Sequence, residues 1–259
     1  MSSGSEKKCG SCQRPQSNIP APLKKCARCH KQNYCSRECQ KADWKNHKST
    51  CRRPAVSAAI IPGISGYSTS NSTHNRSSPG PCSIPNPFTA LENKTWLKNR
   101  PEHDVFKLLV DVHRMRIEDE YKFDGDVDED TILGGGTPAT ALGVFREFLE
   151  AMTRLGTARP VDKKILPEWW NAEKLNECVK FARDGGNTMS EDNWSRIALL
   201  VEKHDVQEHY KDMTMPMQLR MFSYEVDGAL IMGQSGSQMR ADMIDVERGN
   251  AHAMVINMA

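Results

Sequence analysis

Apolar side chains recur every three or four residues along much of the chain between residues 88 and 233. This spacing is the period of an amphipathic helix, and no stretch of alternating apolar and polar residues long enough for a strand accompanies it. The pattern therefore predicts an all-α domain over residues 88–233, with the apolar faces forming its core. Five stripes carry this prediction: Val105, Leu108, Leu109, Val112 and Met115; Leu142, Phe145, Phe148, Leu149, Met152 and Leu155; Leu175, Cys178, Val179 and Ala182; Trp194, Ile197, Ala198 and Val201; and Leu219, Phe222, Val226 and Leu230.

Capping and turn residues predict where two of these helices begin and end. The fourth stripe follows Thr188 and Ser190, and either hydroxyl is a suitable N-cap. The fifth stripe begins at Pro216 and stops at Gly233, in keeping with the preference of Pro for helix starts and of Gly for helix ends.

The remaining segments lack helical periodicity. Residues 54–87 are rich in Ser, Pro, Gly and Asn, which bury too little apolar surface to offset their chain entropy. We interpret this segment as a flexible linker in which Cys82 is exposed. Residues 1–8 are predicted to be a polar N-terminal tail, and residues 234–259 a loosely ordered tail. The fold class expected is a small segment at 9–53 followed by a mainly α-helical domain, with no substantial β-sheet.

The cysteines separate residues 9–53 from the rest of the chain. Seven of nine precede residue 52, and the odd total argues against a secreted disulfide framework. The start, MSSGSEKK, has no apolar signal region, and no run of about 18 apolar residues is present to span a membrane. We therefore expect an intracellular protein, in the nucleus or cytoplasm, with no membrane partner. In a reducing compartment, paired cysteines indicate metal ligands.

Eight residues of ligand type fall into four pairs. Two residues separate the members of the first two pairs, and three residues separate the members of the last two. In chain order the pairs are Cys9 with Cys12, Cys26 with Cys29, Cys35 with Cys39, and His47 with Cys51. The shorter spacing suits a tight turn and the longer one a single helical turn, so each pair can hold one ion. Zinc takes four such ligands, which predicts two closed, structural zinc sites. Because large apolar residues are few here, zinc is expected to supply the folding free energy.

The pattern C-x2-C…C-x2-C-x5-C-x3-C-x7-H-x3-C resembles the MYND-type zinc finger over residues 9–51, as do Tyr34-Cys35, Cys39-Gln40 and Asp43-Trp44-Lys45. The spacing alone leaves the grouping of the pairs open. The resemblance implies interleaved sites, with one ion held by Cys9, Cys12, Cys35 and Cys39 and the other by Cys26, Cys29, His47 and Cys51. With its helical region, the chain is similar to small filamentous-fungal MYND-finger proteins with a helical C-terminal region.

MYND fingers bind other proteins, so the resemblance implies a zinc-dependent adaptor or regulatory protein. Some members hold short proline-containing peptides in a shallow groove, and Gln40 and Trp44 match positions of that groove. They lie four residues apart and share a helix face, where a ring can contact proline and an amide can bind a peptide backbone. Ala27 departs from a peptide-binding member, which has a small hydroxyl residue there. The alternative for Trp44 is that it packs over the zinc sites.

Charge is unevenly divided along the chain. Residues 9–53 carry eleven Lys or Arg against two Asp or Glu, whereas residues 54–259 carry twenty-two against thirty. With both zinc sites counted, the finger retains a charge of about +6. A nucleic-acid-associated regulator is one alternative, because a basic surface attracts phosphates. Only Tyr34 and Trp44 could stack on bases, so nucleic acid is disfavoured and acidic protein segments are the expected partners.

A SET-MYND lysine methyltransferase is the second alternative, because MYND fingers also occur within SET domains. Those enzymes carry a substantial segment before the finger, whereas eight residues precede Cys9 here. The Asn-His-Ser-Cys and Gly-Glu-Glu…Tyr signatures are missing, and a helical domain does not suit a strand-rich SET fold. No nucleophile beside a base can be identified. We therefore expect no catalytic residues and no enzyme activity.

Overall fold

The computed structural model describes residues 6–26, 29, 31–51, 80, 82–125, 127–158, 164–186, 193–228 and 235–250. The chain divides into two units, one comprising residues 1–78 and 124–126 and the other residues 79–123 and 127–259. Most of the predicted linker lies outside the described residues, as do Ala27, Thr188, Ser190, Leu230 and Gly233. Among the helices of the described segments, none has both the length and the hydrophobicity that crossing a membrane requires.

The first unit consists of short elements around its cysteines. Strands β1 (Lys24–Lys25) and β2 (Asn33–Tyr34) form a two-stranded antiparallel sheet, and helix α1 (Arg37–His47) follows. The Ser36 hydroxyl caps α1 by accepting a hydrogen bond from the backbone N–H of Cys39. In the described part of this unit no Leu, Ile or Val is buried. The buried side chains are instead Cys9, Cys26, Cys29, Tyr34, Trp44, His47 and Cys51.

The second unit is helical. Its helices are α2 (Pro87–Glu92), α3 (Glu102–Asp119), α4 (Pro138–Ala158), α5 (Ala172–Asp184), α6 (Lys203–Tyr210), α7 (Met215–Asp227) and α8 (Gly236–Glu247). Helix α3 packs against α4, α5 and α7. The predicted fold class, a two-site finger followed by a mainly α-helical region with no substantial sheet, is therefore confirmed.

The first three apolar stripes lie on α3, α4 and α5 and supply much of the core. Every member of the α3 stripe is buried, including Leu108, Leu109 and Val112 at 0% exposure. Neighbouring Trp169 and Trp170 precede α5 and both lie edge-on to Phe106, with ring centroids 6.2 Å away. Period-3.6 spacing identifies these faces correctly because a helix can bury only one side against its neighbours.

The fourth stripe was predicted to be a helix, and this prediction is wrong. Residues 193–201 form turns, and the next helix, α6, begins at Lys203. The side chain of Arg114, on α3, donates hydrogen bonds to the carbonyls of Trp194 and Arg196, at 2.6 and 3.2 Å. Asn193 has a positive φ of 46°. Buried tertiary partners therefore replace the hydrogen bonds that a helix would have formed within itself.

Arg114 is held in turn by Asp111, whose carboxylate is fully buried. Asp111 also accepts hydrogen bonds from the indole N–H of Trp194, at 2.9 Å, and from the hydroxyl of Tyr210. One buried carboxylate thus joins α3, the turns at 193–201 and α6. Such a network is stable only because each of its charges has a partner.

Two boundary predictions toward the end of the chain also need correction. Helix α7 ends at Asp227 with Gly228 in the left-handed conformation, earlier than the predicted stop. The predicted loose tail contains α8, which packs on α2 and α7. Glu247 accepts hydrogen bonds from the backbone N–H groups of Phe88 and Thr89, at 2.7 and 2.9 Å. Glu247 therefore satisfies donors that the start of α2 leaves without helical partners.

Cys82 was predicted to be exposed in the linker, but it packs against the helical core. Burial raises the pKa of its thiol to about 12. The helical domain therefore begins before the predicted boundary at residue 88.

Candidate metal centre

Two groups of four ligand-type side chains come together in the first unit. The first contains Cys9, Cys12, Cys35 and Cys39, and the second contains Cys26, Cys29, His47 and Cys51. Within each group, all four ligand atoms lie within 4.8 Å of one another. The structure thus groups the eight residues in the interleaved way that the MYND resemblance implies. Each cluster combines alternate ligand pairs, so pairs that follow one another in the sequence belong to different clusters.

The first cluster is shaped by a tight turn and the start of α1. The backbone N–H of Cys9 donates to the carbonyl of Arg14, at 3.0 Å, and the N–H of Cys35 points at the Cys9 sulfur, at 3.4 Å. The Cys35 sulfur lies 3.6 Å from that of Cys12 and 3.4 Å from that of Cys39. Cys35 therefore faces both the turn and the helix.

The second cluster is more deeply enclosed. All four of its side chains are buried, whereas three members of the first cluster are partly or fully accessible. The Cys26 and Cys51 sulfurs are 3.7 Å apart, and the Cys29 sulfur is 3.5 Å from Nε2 of His47. Cys51 continues the last turn of α1, because its backbone N–H donates to the carbonyl of His47, at 2.9 Å.

These distances fit tetrahedral zinc. With Zn–S bonds of ~2.3 Å, the edge of a regular tetrahedron is roughly 3.8 Å. A disulfide would bring two sulfurs to about 2.0 Å, and all nine cysteines are free thiols. The eight residues therefore form two zinc sites, one in each cluster. Because each cluster supplies four ligands, neither leaves an open position at which a substrate could bind the metal.

Thiol acidity differs between members of the first cluster. A hydrogen bond from the backbone N–H of Arg14 lowers the pKa of Cys12 to about 6. Cys35 donates to the Cys39 sulfur, and this hydrogen bond raises the pKa of Cys35 to about 12. Before zinc binds, Cys12 therefore loses its proton more readily than Cys35. Since zinc binds thiolates, the ion must displace the proton that Cys35 retains.

Two residues that support the clusters were not identified from the sequence as site residues. The Tyr34 ring is buried and lies edge-on to the His47 ring, with centroids 6.0 Å apart. Its hydroxyl donates to the Asp43 carboxylate, at 2.8 Å. Tyr34 belongs to the motif on which the resemblance rests. The spacing of metal ligands, however, does not predict a role for a tyrosine that is not itself a ligand.

The predicted partner-binding residues lie on α1 beside the second cluster. Gln40 is half-buried, and Trp44 has only 4% of its surface exposed. The indole of Trp44 lies edge-on to the imidazole of His47, with centroids 6.0 Å apart. Trp44 therefore contacts a zinc ligand, as in the packing alternative, and the binding role of both residues stays a prediction.

Comparison with known proteins agrees with this geometry. Residues 9–51 match the family model of the MYND finger. SET domain-containing protein 14 of Caenorhabditis elegans is 59% identical over 32 residues, which are 12% of this chain and 8% of that protein. The likeness is therefore local and leaves most of both chains unmatched. No solved structure matches the chain significantly.

Proposed function

We propose that this protein, whose residues 9–51 form a MYND finger, is a zinc-dependent interaction protein and not an enzyme. MYND fingers generally mediate protein–protein interaction, and a closed structural zinc site supports a surface, not a reaction. On this proposal the finger binds segments of partner proteins in the nucleus or cytoplasm, as an adaptor or regulator.

One feature of α1 supports this proposal best. Arg37, Lys41, Lys45 and Lys48 are spaced by four, four and three residues, so their side chains share one side of the helix. We call these four residues the basic stripe. Its three lysines are exposed. Trp44 lies three residues from Lys41 and four from Lys48, so the basic stripe borders the predicted groove position.

The basic stripe selects the chemistry of the partner. Four positive charges along one helix side attract a segment carrying Asp or Glu, and complementary charge mainly raises the rate of association and sets specificity. Gln40 has an amide that can bind the backbone of an extended peptide, and an apolar or proline residue of that peptide would pack at the small exposed part of Trp44, 4% of its surface. The proposed partner is therefore an acidic protein segment that contains proline.

Two alternative functions have weaker support. RNA would also be attracted by the basic stripe, but stacking on a base needs an exposed ring face, and Tyr34 and Trp44, the two aromatic side chains of the finger, are both buried. The methyltransferase alternative is suggested by the name of the relative, which contains a SET domain. The 32 matched residues, however, are only 8% of that protein. We therefore propose protein binding and no catalytic residues.

The proposal is tested by direct binding to the zinc-loaded full chain. Three fluorescent probes of equal charge are compared by polarisation: an acidic peptide with a central proline, the same composition without proline, and a single-stranded RNA. The peptides should bind, with the proline peptide tighter, and affinity should fall as salt screens the charges. RNA binding tighter than either peptide would overturn the proposal.

A charge-matched pair of variants locates the binding surface. Lys41→Glu with Lys45→Glu reverses two charges of the basic stripe and should weaken peptide binding at least about tenfold. Lys24→Glu with Lys25→Glu makes the same change at exposed residues of β1 and serves as the control. Trp44→Ala should weaken the proline peptide while two zinc ions remain bound. Equal effects of the two double variants would show that only net charge matters.

A further inference from the structure

A cavity of about 210 Å³ lies in the helical domain, between the C-terminal part of α4 and the segment that leads into α5. Lys98, Thr153, Lys164, Leu166 and Trp170 contribute to its walls. None of these residues belongs to the zinc clusters or to the basic stripe. A cavity of ~150 Å³ engineered into another protein takes up benzene, so this volume is sufficient for one substituted ring.

Two lysines border the cavity. Both are half-buried, and no ion pair or side-chain hydrogen bond joins either ammonium group to another residue in the described segments. Two other half-buried lysines of this domain are paired with carboxylates. Lys94 lies 2.5 Å from Glu225, and Lys174 lies 2.8 Å from Glu102. Both ammonium groups are therefore able to bind the anionic group of a ligand in the cavity.

The described neighbours of the cavity do not neutralise the two lysines. Glu168 also borders the cavity, but its side chain is exposed and forms no ion pair with either lysine in the described segments. The C-terminal end of α4, near Gly156, carries a partial negative charge of about one half. That partial charge offsets only a fraction of two ammonium groups.

The other walls are apolar. Leu166 and Pro167 are buried. The indole N–H of Trp170 already donates to the Thr153 hydroxyl, at 3.0 Å, so the Trp170 ring adds apolar surface to the cavity. A ligand that matches this lining combines one negative head with a flat apolar body.

We propose that this cavity binds a small organic anion, a carboxylate or phosphate carried on a single apolar ring. Lys98 and Lys164 bind the anionic head, and Leu166, Pro167 and Trp170 contact the ring. The helical domain thus carries a small-molecule site that is independent of the function proposed for the finger.

Benzoate and phenyl phosphate are the probes for the test, with benzamide as the uncharged analogue of benzoate and inorganic phosphate as the head without a ring. Binding to the zinc-loaded full chain is measured by titration in ¹H–¹⁵N spectra, with the Trp170 indole N–H assigned from Trp170→Phe. Both ring anions should shift this resonance and saturate, and benzamide and inorganic phosphate should bind at least about fivefold more weakly.

Variants assign the binding to the two lysines. Lys98→Met and Lys164→Met keep most of the side-chain stem and remove the charge, so each should weaken benzoate at least about fivefold. Lys180→Met makes the same change at an exposed lysine of α5 and should leave binding unchanged. Far-ultraviolet circular dichroism checks that each variant is folded.

Three results would overturn the proposal. Equal binding of benzoate and benzamide would show that the lysines do not select a negative charge. Inorganic phosphate binding as tightly as phenyl phosphate would show that the apolar walls contribute nothing. Unchanged benzoate affinity in both lysine variants would place any binding elsewhere on the chain.

Discussion

The Tyr34 hydroxyl donates a 2.8 Å hydrogen bond to the Asp43 carboxylate, which joins strand β2 to helix α1. Tyr34 precedes a ligand of the first cluster, and Asp43 lies four residues before a ligand of the second. Burial and the neighbouring Asp43 charge both raise the pKa of Tyr34, so the hydroxyl remains a donor at any physiological pH. This one bond therefore links the parts of the chain that carry the two zinc ions.

Tyr34→Phe should weaken the finger without removing a ligand. The substitution deletes a buried hydrogen bond to a charged acceptor, which contributes roughly 1.5–3 kcal/mol. Folding of the finger is coupled to metal binding, so zinc affinity measured by chelator competition should fall about tenfold or more. Tyr224→Phe, the same change at a half-buried tyrosine of α7, is the control. An unchanged zinc affinity would show that the bond is dispensable.

Cys35→Ser should abolish the first zinc site. The Cys35 sulfur contacts the sulfurs of both Cys12 and Cys39, so its loss leaves a three-ligand site with much lower affinity. Elemental analysis should give two zinc ions for the wild type and fewer for the variant. Cys82→Ser, outside both clusters, should retain two. Two equivalents of zinc in Cys35→Ser would refute the ligand assignment.

Chelation of zinc should unfold the first unit and leave the second unit helical. The clusters lie in residues 9–51, whereas the buried aliphatic side chains of α2–α8 form a core that contains no zinc ligand. Excess chelator should therefore leave most of the circular dichroism signal at 222 nm. Amide spectra should lose dispersion only for residues of the finger. A large loss of helical signal would mean that the two units fold as one.

Acid should destabilise the helical domain through His113. This side chain is buried against Phe145 and Phe148, and burial lowers its pKa to about 3, with the nearby Arg116 and Arg114 charges acting in the same direction. The unfolded chain protonates this histidine near its ordinary pKa of about 6.5. Between those two values unfolding takes up a proton, so stability falls by up to about 1.4 kcal/mol per pH unit as the pH decreases.

Denaturant unfolding at pH 7, 5 and 4 measures this dependence. His113→Leu should lose less stability on acidification than the wild type, because it has no proton to take up. His204→Leu alters an exposed histidine of α6 and should follow the wild type. Parallel stability curves for His113→Leu and the wild type would show that another group governs the acid response.

Local patterns in the sequence predicted much of this protein. Two-residue and three-residue spacings identified four ligand pairs, because a turn or a single helical turn is enough to bring each pair onto one metal. The apolar stripes on α3, α4 and α5 were also predicted from local spacing, because each helix buries one face against its neighbours. The weakly amphipathic α8 was missed, because its position depends on Glu247 and Arg240 reaching residues far away in the chain.

The sequence by itself determined that the finger has four ligand pairs for two ions and that a helical domain follows, since both features depend on neighbours within a few residues. Only the tertiary structure decided what depends on distant groups. The β1–β2 sheet and α1 bring alternate ligand pairs together, and Asp111 with Arg114 holds residues 193–201 as turns despite their helical spacing. Lys98 and Lys164 become neighbours of one cavity although 65 residues lie between them. A buried charge or carbonyl takes the partner that folding places beside it, and sequence distance does not limit that choice.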